Sequence, residues 1–228
     1  MIQKRIGLVG IGKLGTAMMT HWNKKGIKIG VYHPMKSKAE QFVQNFQHSY
    51  ILLDSELTEL DVLILALPAT EVIPFISSLK IQSNLQQTHE IINMATNLPT
   101  REISSKFPSL NVYGVKYMGH GRDLLEHGNG LFITEAALSK KSEELFRILG
   151  KVIIDSENCL TEVNKLATYF ALKTAIDLET EFTKRRLSPE YLKRALTSLA
   201  PEVIRSYSNG TLGHFAKEIL KEIQSEKD

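Results

Sequence analysis

The sequence predicts an α/β protein in which a doubly wound, mostly parallel sheet is followed by a small all-α domain. Short apolar runs alternate with helical patterns through the first 155 residues, which is typical of a parallel sheet with helices on both faces. A glycine-rich turn, Gly10-Ile11-Gly12-Lys13-Leu14-Gly15, joins the first apolar run to the first helical pattern. Strand patterns cease after Ile154. We therefore expect a Rossmann-type domain over residues 1–155 and a helical substrate-binding and dimerisation domain over residues 156–228.

Eight apolar runs of strand length and five helical patterns make up the predicted first domain. The strands are expected at 5–9, 27–32, 49–53, 61–67, 90–94, 111–116, 131–134 and 151–154. The helices between them are expected at 14–25, 37–47, 70–79, 99–107 and 139–149. Ser37-Lys38-Ala39-Glu40 has the pattern of a capping box at the start of the second helix, and Gly150 follows the fifth helix as its expected stop.

One long helical pattern, at 157–186, opens the predicted second domain. Its faces all carry apolar side chains: Leu160, Val163, Leu166, Ala167, Tyr169, Phe170, Leu172, Ile176, Leu178 and Phe182. A helix that is apolar all round has to be buried, and the short remainder of the chain offers little to bury it. We therefore predict a homodimer formed through the C-terminal helices. Ser188-Pro189 and Ala200-Pro201 are expected to begin two further helices, and residues 212–225 form the last.

The composition indicates a globular protein and argues against some classes of binding partner. A hydrophobic fraction of 43% and a charged fraction of 23% are typical of globular domains. The net charge of +3 is small and dispersed, which argues against nucleic-acid and membrane partners. Cys159 is the single cysteine, which excludes an internal disulfide. No apolar run reaches the ~18 residues of a membrane-spanning helix. The first predicted strand begins too early for a signal peptide to precede it. A cytoplasmic location is expected.

The glycine-rich turn predicts a dinucleotide site. Gly10 permits a tight turn, Gly12 lets the backbone approach a pyrophosphate, and Gly15 lets the helix pack closely on the strand. The pyrophosphate is expected on the unpaired N–H groups at the start of the following helix. Ile11, Lys13 and Leu14 belong to the same turn and are expected to contact the cofactor with their backbone.

The residues after the second strand favour NADP(H) over NAD. Enzymes that use NAD usually place an acidic residue about 20 residues after the glycines, where it binds the ribose hydroxyls. Here the strand ends in Tyr32-His33-Pro34, and Lys36, Ser37 and Lys38 follow. Two cations and a hydroxyl suit a 2′-phosphate. In the alternative interpretation, Ser37 only caps the next helix and both lysines are solvated.

Five segments in series resemble the pyrroline-5-carboxylate reductases and their relatives, the deazaflavin-dependent NADP reductases. The run Ile6-Gly7-Leu8-Val9-Gly10-Ile11-Gly12-Lys13-Leu14-Gly15-Thr16-Ala17-Met18 is similar to the opening motif of that family. Tyr32-His33-Pro34-Met35-Lys36-Ser37-Lys38-Ala39 stands at its phosphate-binding segment. Asp61-Val62-Leu63-Ile64-Leu65-Ala66-Leu67-Pro68 resembles its fourth strand, and Ile91-Ile92-Asn93-Met94-Ala95-Thr96 resembles the strand beside the nicotinamide. Lys116-Tyr117-Met118-Gly119-His120-Gly121 occupies the place of an Arg-x-Met-Pro-Asn motif.

The resemblance implies further cofactor contacts, and it ends in the C-terminal part. It places His33, Leu67, Pro68, Asn93 and Thr96 against the cofactor, the last two near the nicotinamide. The reductases bind the imino-acid carboxylate through a Ser-Gly-Ser-Gly-Pro-Ala-Tyr signature. The corresponding stretch here, Asn164-Lys165-Leu166-Ala167-Thr168-Tyr169, lacks its glycines, serines and proline. The C-terminal domain is therefore divergent, and proline synthesis is not assigned.

Three residues are candidates for the chemistry. Hydride transfer needs the nicotinamide held against the substrate and a donor that polarises the C=O or C=N bond. Lys165 precedes Leu166 as the catalytic lysine does in the related hydroxyisobutyrate and phosphogluconate dehydrogenases. Lys116 and His120 follow the sixth strand, where loops line the ligand crevice. In the alternative interpretations Lys165 extends into solvent and His120 is a solvated loop residue.

Two other groupings of residues are weighed against this site. His120, Asp123, Glu126 and His127 lack the spacing that puts two metal ligands on one helix face, so no metal is expected. Lys173 and Asp177 are four residues apart, and we expect an ion pair or a subunit contact there rather than a catalytic dyad.

The leading hypothesis is an NADP-dependent oxidoreductase that reduces a C=N or C=O bond of a small, anionic substrate. A reductase that passes hydride to a flavin-like second cofactor is a further possibility. The rival class is an NADP(H)-binding regulatory or sensor paralogue without catalytic turnover.

Overall fold

A six-stranded parallel sheet forms the centre of the first part of the chain. The computed structural model describes residues 5–82 and 90–226. The strand order is β3-β2-β1-β4-β5-β6. The strands are β1 (Ile6–Val9), β2 (Ile29–Tyr32), β3 (Ser49–Ile51), β4 (Val62–Leu65), β5 (Glu90–Asn93) and β6 (Asn111–Gly114). This arrangement confirms the predicted doubly wound fold, and the strand order reverses between β1 and β4, where such sheets bind ligands.

Helices connect the parallel strands, as the alternating pattern predicts. They are α1 (Lys13–Lys24), α2 (Lys36–Val43), α3 (Ala69–Gln82) and α4 (Thr100–Lys106), with a 3₁₀ helix at Asp54–Glu59. The register places Leu8 of β1 beside Val31 of β2 and Ile64 of β4. These central side chains are buried because both faces of the sheet are covered by helices.

The remaining strands form a separate three-stranded sheet, which corrects the prediction of one continuous strand at 111–116. The sheet contains β7 (Lys116–Tyr117), β8 (Gly130–Thr134) and β9 (Gly150–Ile154), and β7 is antiparallel to β8. The N–H of Val115 still bonds to the carbonyl of Asn93, but Lys116 already pairs with Ile133. An apolar run shows that a segment is buried, and it does not show in which sheet the segment lies.

Two further helices accompany the small sheet, and one of them was not predicted. Helix α6 (Lys140–Arg147) begins at Ser139, whose hydroxyl accepts from the N–H of Ser142. Helix α5 (Gly121–His127) lies after the sixth predicted strand, where the sequence pattern predicts a loop. It ends at Gly128 with φ of 65°, and its Leu124 carbonyl is 2.6 Å from Nε2 of His21 on α1.

Two predicted helix boundaries differ from the structure. Helix α2 begins one residue before Ser37, with Met35 at the N-cap and no side-chain cap, so Ser37 is not the capping residue. Gly150 does not end a helix, since α6 ends at Arg147 and Gly150 is the first residue of β9. Both predictions rest on local sequence patterns alone. Helix α2 begins earlier than Ser37, and helix α6 ends earlier than Gly150.

The core lies in two layers, one on each face of the parallel sheet. One layer contains Trp22, Ile64 and Phe146, and the other contains Leu65 and Ile103. The indole N–H of Trp22 donates to the carbonyl of Leu145 at 2.9 Å, so this large side chain is buried without an unpaired polar group.

The chain divides into two compact units, Met1–Asn164 and Lys165–Asp228. Helix α7 (Glu157–Lys184) begins in the first unit and continues into the second. The second unit also contains α8 (Pro189–Arg194), a π-helical segment (Ala195–Leu199), α9 (Ala200–Ser208) and α10 (His214–Ser225). Ser188 caps α8, as predicted, by accepting from the N–H of Glu190.

The apolar faces of α7 are exposed in the single chain. Leu166, Tyr169, Phe170, Leu172 and Ile176 each expose more than half of their surface. The predicted Lys173–Asp177 pair is confirmed, with Nζ and Oδ2 separated by 2.9 Å. Burial of α7 against a second chain stays a prediction. None of the helices within 5–82 and 90–226 is both long and apolar enough to cross a membrane.

Candidate dinucleotide-binding site

The glycine-rich turn connects β1 to α1 with the backbone that the sequence pattern requires. Gly10 has φ of +106°, and a Cβ at this position would overlap the carbonyl of Ala66. A Cβ at Gly15 would overlap the carbonyl of Gly10, so this glycine allows the helix to approach the strand. Gly12 differs, because a Cβ there would meet nothing within 4 Å. The space in front of Gly12 is therefore open.

The start of α1 offers N–H groups to this open space. The first bond of the helix runs from the N–H of Thr16 to the carbonyl of Gly12, at 2.9 Å. The N–H groups of Lys13, Leu14 and Gly15 therefore lie outside the helical ladder, at the end of α1 where the helix dipole favours negative charge. These residues fit a pyrophosphate, which needs backbone donors and close approach of the chain.

A cleft of about 670 Å³ begins at this turn and continues between β2 and α3. Its lining residues are Val9, Gly10, Ile11, Gly12, Tyr32, His33, Pro34, Lys38, Leu67, Glu71, Pro74, Phe75 and Ser78. The cleft lies at the carboxyl ends of β1, β2 and β4, where open α/β sheets bind their ligands. Its size and its mixture of apolar walls with a few polar groups fit a nucleoside.

The residues after β2 fall into two groups. His33 and Lys38 line the cleft. Lys36 lies outside its lining and forms an ion pair with Glu40, 3.8 Å away. Ser37 is also outside the lining, in the first turn of α2. Of the three residues proposed for a 2′-phosphate, only Lys38 therefore borders the cavity.

Tyr32 forms the end of β2 in the position where NAD-dependent enzymes usually carry a carboxylate. Its hydroxyl donates to Oδ1 of Asp54 at 2.5 Å, and its ring contacts that of Phe75, with centroids 5.8 Å apart, in the lining of the cleft. Burial, together with the bond to Asp54, raises the pKa of Tyr32 to about 12. No sequence pattern connects Asp54 with this position. A carboxylate is expected only at the end of β2, whereas Asp54 lies in the segment after β3.

At the end of β5, Asn93 and Thr96 lie in contrasting environments. Asn93 is fully buried, and its side-chain amide donates to the carbonyl of Leu98 at 2.9 Å and to Oγ1 of Thr100 at 3.1 Å. Its Oδ1 accepts from the N–H of Ala95 at 3.1 Å. These bonds argue against direct contact between Asn93 and a nicotinamide. Thr96 is exposed at the carboxyl edge of the sheet.

Lys116 is also buried, and this argues against the direct substrate contact that the sequence suggested. Only 1% of its side chain is exposed. Nζ donates to the carbonyls of Ala95 and Leu98 at 2.6 and 2.9 Å, and it lies 3.6 Å from Oε1 of Glu157. Burial lowers the pKa of Lys116 to about 8, although the charge of Glu157 opposes this shift.

The other two candidates for the chemistry are exposed. His120 is the N-cap residue of α5. Gly121, next to it, packs against Lys13 and Leu14, since a Cβ there would lie 3.2 Å from the nitrogen of Leu14. The backbone of the His120 segment therefore borders the N-terminus of α1. Lys165 is exposed on α7 and is the first residue of the second compact unit.

Leu67 lies in the cleft, whereas Pro68 is exposed after β4 and outside its lining. Within the described residues, no group of three or more His, Cys, Asp and Glu side chains is arranged to hold a metal ion.

Two residues near this site had no signal in the sequence. Glu157 and Thr100 each stand at the start of a helix, where acidic and hydroxyl side chains are common for helix-capping reasons alone. Only the three-dimensional structure brings both next to Lys116 and Asn93.

Residues 5–121 match the protein family described as the NAD binding domain of 6-phosphogluconate dehydrogenase. The matched region is just over half of the chain and includes all six strands of the parallel sheet. No curated protein matches the sequence significantly.

Solved structures share the fold at low sequence identity. The 3-hydroxyisobutyrate dehydrogenase of Mycobacterium tuberculosis, solved with L-serine, is 16% identical with a TM-score of 0.62, over 86% of this chain and 70% of that one. A variant imine reductase from Myxococcus stipitatus, solved with NAD+, is 12% identical with a TM-score of 0.65, over 99% and 78% of the two chains. A reductive aminase from Aspergillus terreus, solved with NADPH and ethyl levulinate, is 17% identical with a TM-score of 0.62, over 91% and 78%.

Proposed function

The chain belongs to the family that carries the NAD binding domain of 6-phosphogluconate dehydrogenase, and we propose that it is an NADP-dependent oxidoreductase acting on a small anionic substrate. The proposed reaction is reduction of a C=N or C=O bond. Imine reductases and a hydroxyacid dehydrogenase among the structural neighbours support this reaction class by analogy of fold. The resemblance to the pyrroline-5-carboxylate reductases is a finer hypothesis that rests on the N-terminal segments.

The open space in front of Gly12 is the observation that carries the proposal. It adjoins both the free N–H groups of α1 and the cleft at the ends of β1 and β2. A pyrophosphate held there would let an adenosine enter the cleft and lie against the contacting rings of Tyr32 and Phe75. His33 and Lys38 would then be the groups nearest to a ribose phosphate, which favours NADP(H).

The residues of this chain would bind and orient the reactants. A nicotinamide supplies a hydride when it is bound. We assign His120 as a candidate proton donor, because it is exposed and its neighbour Gly121 packs against the phosphate-binding end of α1. Lys165 is a second candidate, and its role depends on α7 meeting the cofactor domain of one chain or of a partner. Lys116 does not enter as a substrate contact, because it is buried.

A regulatory paralogue without turnover is the second candidate function. It is favoured by Asn164 to Tyr169, which lack the carboxylate-binding signature of the pyrroline-5-carboxylate reductases. Such a protein would keep the dinucleotide site and would use its occupancy to control association.

Titration calorimetry and a substrate screen distinguish these functions. We expect the purified chain to bind NADPH at least tenfold more tightly than NADH, a difference of ~1.4 kcal/mol. Keto acids, cyclic imino acids and mixtures of ketones with amines would then be screened for loss of NADPH absorbance, with His120→Ala and Lys165→Ala as test variants and Lys151→Ala as an exposed control. Binding without turnover of any compound would support the regulatory function, and failure to bind either dinucleotide would refute both.

A further inference from the structure

Three buried polar side chains and one largely buried carboxylate form a connected cluster beside the carboxyl edge of the sheet. They are Asn93, Thr100, Lys116 and Glu157, which come from the end of β5, the start of α4, β7 and the first turn of α7. Lys116 and Glu157 expose only 1% and 10% of their side chains. None of the four lines the dinucleotide cleft. Polar groups are costly to bury, so the cluster calls for an explanation.

The cluster holds both ends of the loop between β5 and α4. Nζ of Lys116 donates to the carbonyls of Ala95 and Leu98 at 2.6 and 2.9 Å. Asn93 bonds to the same two residues, donating to the carbonyl of Leu98 and accepting from the N–H of Ala95. Ala95 and Leu98 are therefore fixed from inside, while Thr96 and Asn97 between them are exposed.

The carboxylate of Glu157 contacts both the ammonium group of Lys116 and the first residue of α4, Thr100. Its Oε2 accepts from the N–H of Thr100 at 2.9 Å, and its Oε1 accepts from the hydroxyl of Thr100 at 2.5 Å. The N–H of Glu157 donates in turn to Oε1 of Glu135 at 3.0 Å. Gly114 makes room for this arrangement, because a Cβ at Gly114 would overlap Oε1 of Glu157.

An ion pair is an expensive way to stabilise a core. Replacing a buried pair by apolar residues of similar volume is often neutral or stabilising, whereas removing one partner leaves an uncompensated charge. A purely structural role would be served as well by an apolar contact. The ammonium group does what an apolar side chain cannot, since it donates to two backbone carbonyls of one loop at the same time.

We propose that Lys116 and Glu157 are positioning residues, which hold the β5–α4 loop so that Thr96 and Asn97 face the nicotinamide half of the bound dinucleotide. The inference rests on the proposed function for the identity of the ligand. The loop follows the carboxyl end of β5, on the same edge of the sheet as the glycine turn after β1. In the strand order, β2 with the cleft proposed for the adenosine lies on one side of β1, and β5 with this loop lies on the other side. Binding of the adenosine half and of the nicotinamide half can therefore be measured separately.

The test compares a charge-neutral double variant with an exposed control in the full chain. Lys116→Met with Glu157→Gln removes both charges without leaving one of them unpaired. Lys151→Met removes a cation from an exposed position on β9. Each protein is measured by hydrogen exchange of the amides at 94–98 and by calorimetric titration with NADPH and with 2′,5′-ADP, which lacks the nicotinamide half.

We expect exchange of the amides at 94–98 to become about tenfold faster in the double variant, because the loop loses its inner bonds. The dissociation constant for NADPH is expected to rise about tenfold, since the loop must be ordered on binding, while that for 2′,5′-ADP stays within about twofold. The control is expected to match the wild type in all three measurements. If the double variant does not fold, Glu157→Gln alone is measured in the same way, with smaller changes in the same direction.

Equal weakening of NADPH and 2′,5′-ADP would overturn the proposal, since it would show general destabilisation of the domain. Faster exchange with unchanged NADPH affinity would also overturn it, because the cluster would then be structural only. Unchanged exchange would show that the side chains do not hold the loop. If the wild type bound neither NADPH nor 2′,5′-ADP, the proposed function would fail, and the exchange data would still decide whether the loop is held.

Discussion

Gly12 differs from Gly10 and Gly15 in what a methyl group at its Cα would meet. At Gly10 and Gly15 the methyl group would overlap backbone carbonyls, and at Gly12 it would enter open space. Gly10 also has φ of +106°, where residues with a side chain are strained. The same motif therefore contains two glycines that the fold requires and one whose missing side chain leaves space for the proposed ligand.

The first prediction separates these requirements. Gly12→Ala is expected to cost less than ~1 kcal/mol of unfolding free energy, the size of an N-cap effect, and to weaken NADPH binding at least about tenfold by blocking close approach. Gly10→Ala is expected to cost at least ~2 kcal/mol through strain and overlap. Thermal unfolding and calorimetric titration of both variants measure the two effects. A Gly12→Ala protein that binds NADPH normally would place the pyrophosphate elsewhere.

The second prediction concerns the pH dependence of stability. Burial lowers the pKa of Lys116 to about 8 from the ordinary lysine value of 10.5. Between these values the unfolded chain holds a proton that the folded chain has released, so the free energy of unfolding rises with pH in this window. Glu157 and Glu135 are the carboxylates near the ammonium group.

Urea denaturation at pH 8 and pH 9.5 measures this contribution. The wild type is expected to gain on the order of 1 kcal/mol relative to the Lys116→Met/Glu157→Gln variant over this interval. The comparison with the variant cancels the titration of other lysines. If the difference in unfolding free energy between the wild type and the variant stayed constant or fell with pH, Lys116 would keep its proton in the folded chain.

At the scale of elements, helix α2 places its two flanking lysines in different surroundings. Lys36 begins the helix outside the cleft and pairs with Glu40, whereas Lys38 borders the cavity. The helix starts at Lys36 without a side-chain cap, so the hydroxyl of Ser37 does not serve its N-terminus. Preference between NADP(H) and NAD(H) is therefore expected to depend on Lys38.

The third prediction follows from this difference. Lys38→Ala is expected to weaken NADPH binding about tenfold and to leave NADH binding within about twofold, because only NADPH carries the 2′-phosphate. Lys36→Ala, the matched control on the same helix, is expected to change neither constant by more than about twofold. Calorimetric titration of the two variants with both dinucleotides decides the matter, and equal effects of the two substitutions would contradict the assignment.

At the scale of the whole molecule, the second unit leaves an unusual amount of apolar side chain exposed. Besides the residues of α7, large apolar side chains are exposed on α9 and α10: Val203, Ile204, Tyr207, Phe215, Ile219 and Ile223. Exposed apolar patches of this kind mark interaction surfaces in soluble proteins. Their presence on the helices that the sequence assigned to dimerisation supports the proposed homodimer.

The fourth prediction tests this homodimer. The wild type is expected to sediment as a dimer at micromolar concentration. Tyr169→Asp with Ile176→Asp, both on exposed parts of α7, is expected to shift it to a monomer by burying two charges in the interface. Glu179→Gln on the same helix is the control that keeps the dimer. A wild-type monomer at these concentrations would refute the interface.

The sequence predicted the sheet well because each buried strand is a continuous apolar run. The turn glycines were equally visible, since their conformations have few alternatives. It did not predict the small sheet or α5, because membership of a sheet depends on contacts distant in sequence and α5 has only seven residues. The placement of Lys116 was missed for the same reason, since its burial depends on Glu157, which is distant in the chain.

Gly114 has a consequence for how the sequence of this protein can change. Its missing side chain is the space that the carboxylate of Glu157 occupies beside Thr100. A larger residue at 114 would meet both Oε1 of Glu157 and Oγ1 of Thr100, so it is expected together with changes at 157 and 100. Loss of the carboxylate at 157 would leave the ammonium group at 116 without its counter-charge. Positions 100, 114, 116 and 157 are therefore expected to vary together among homologous sequences.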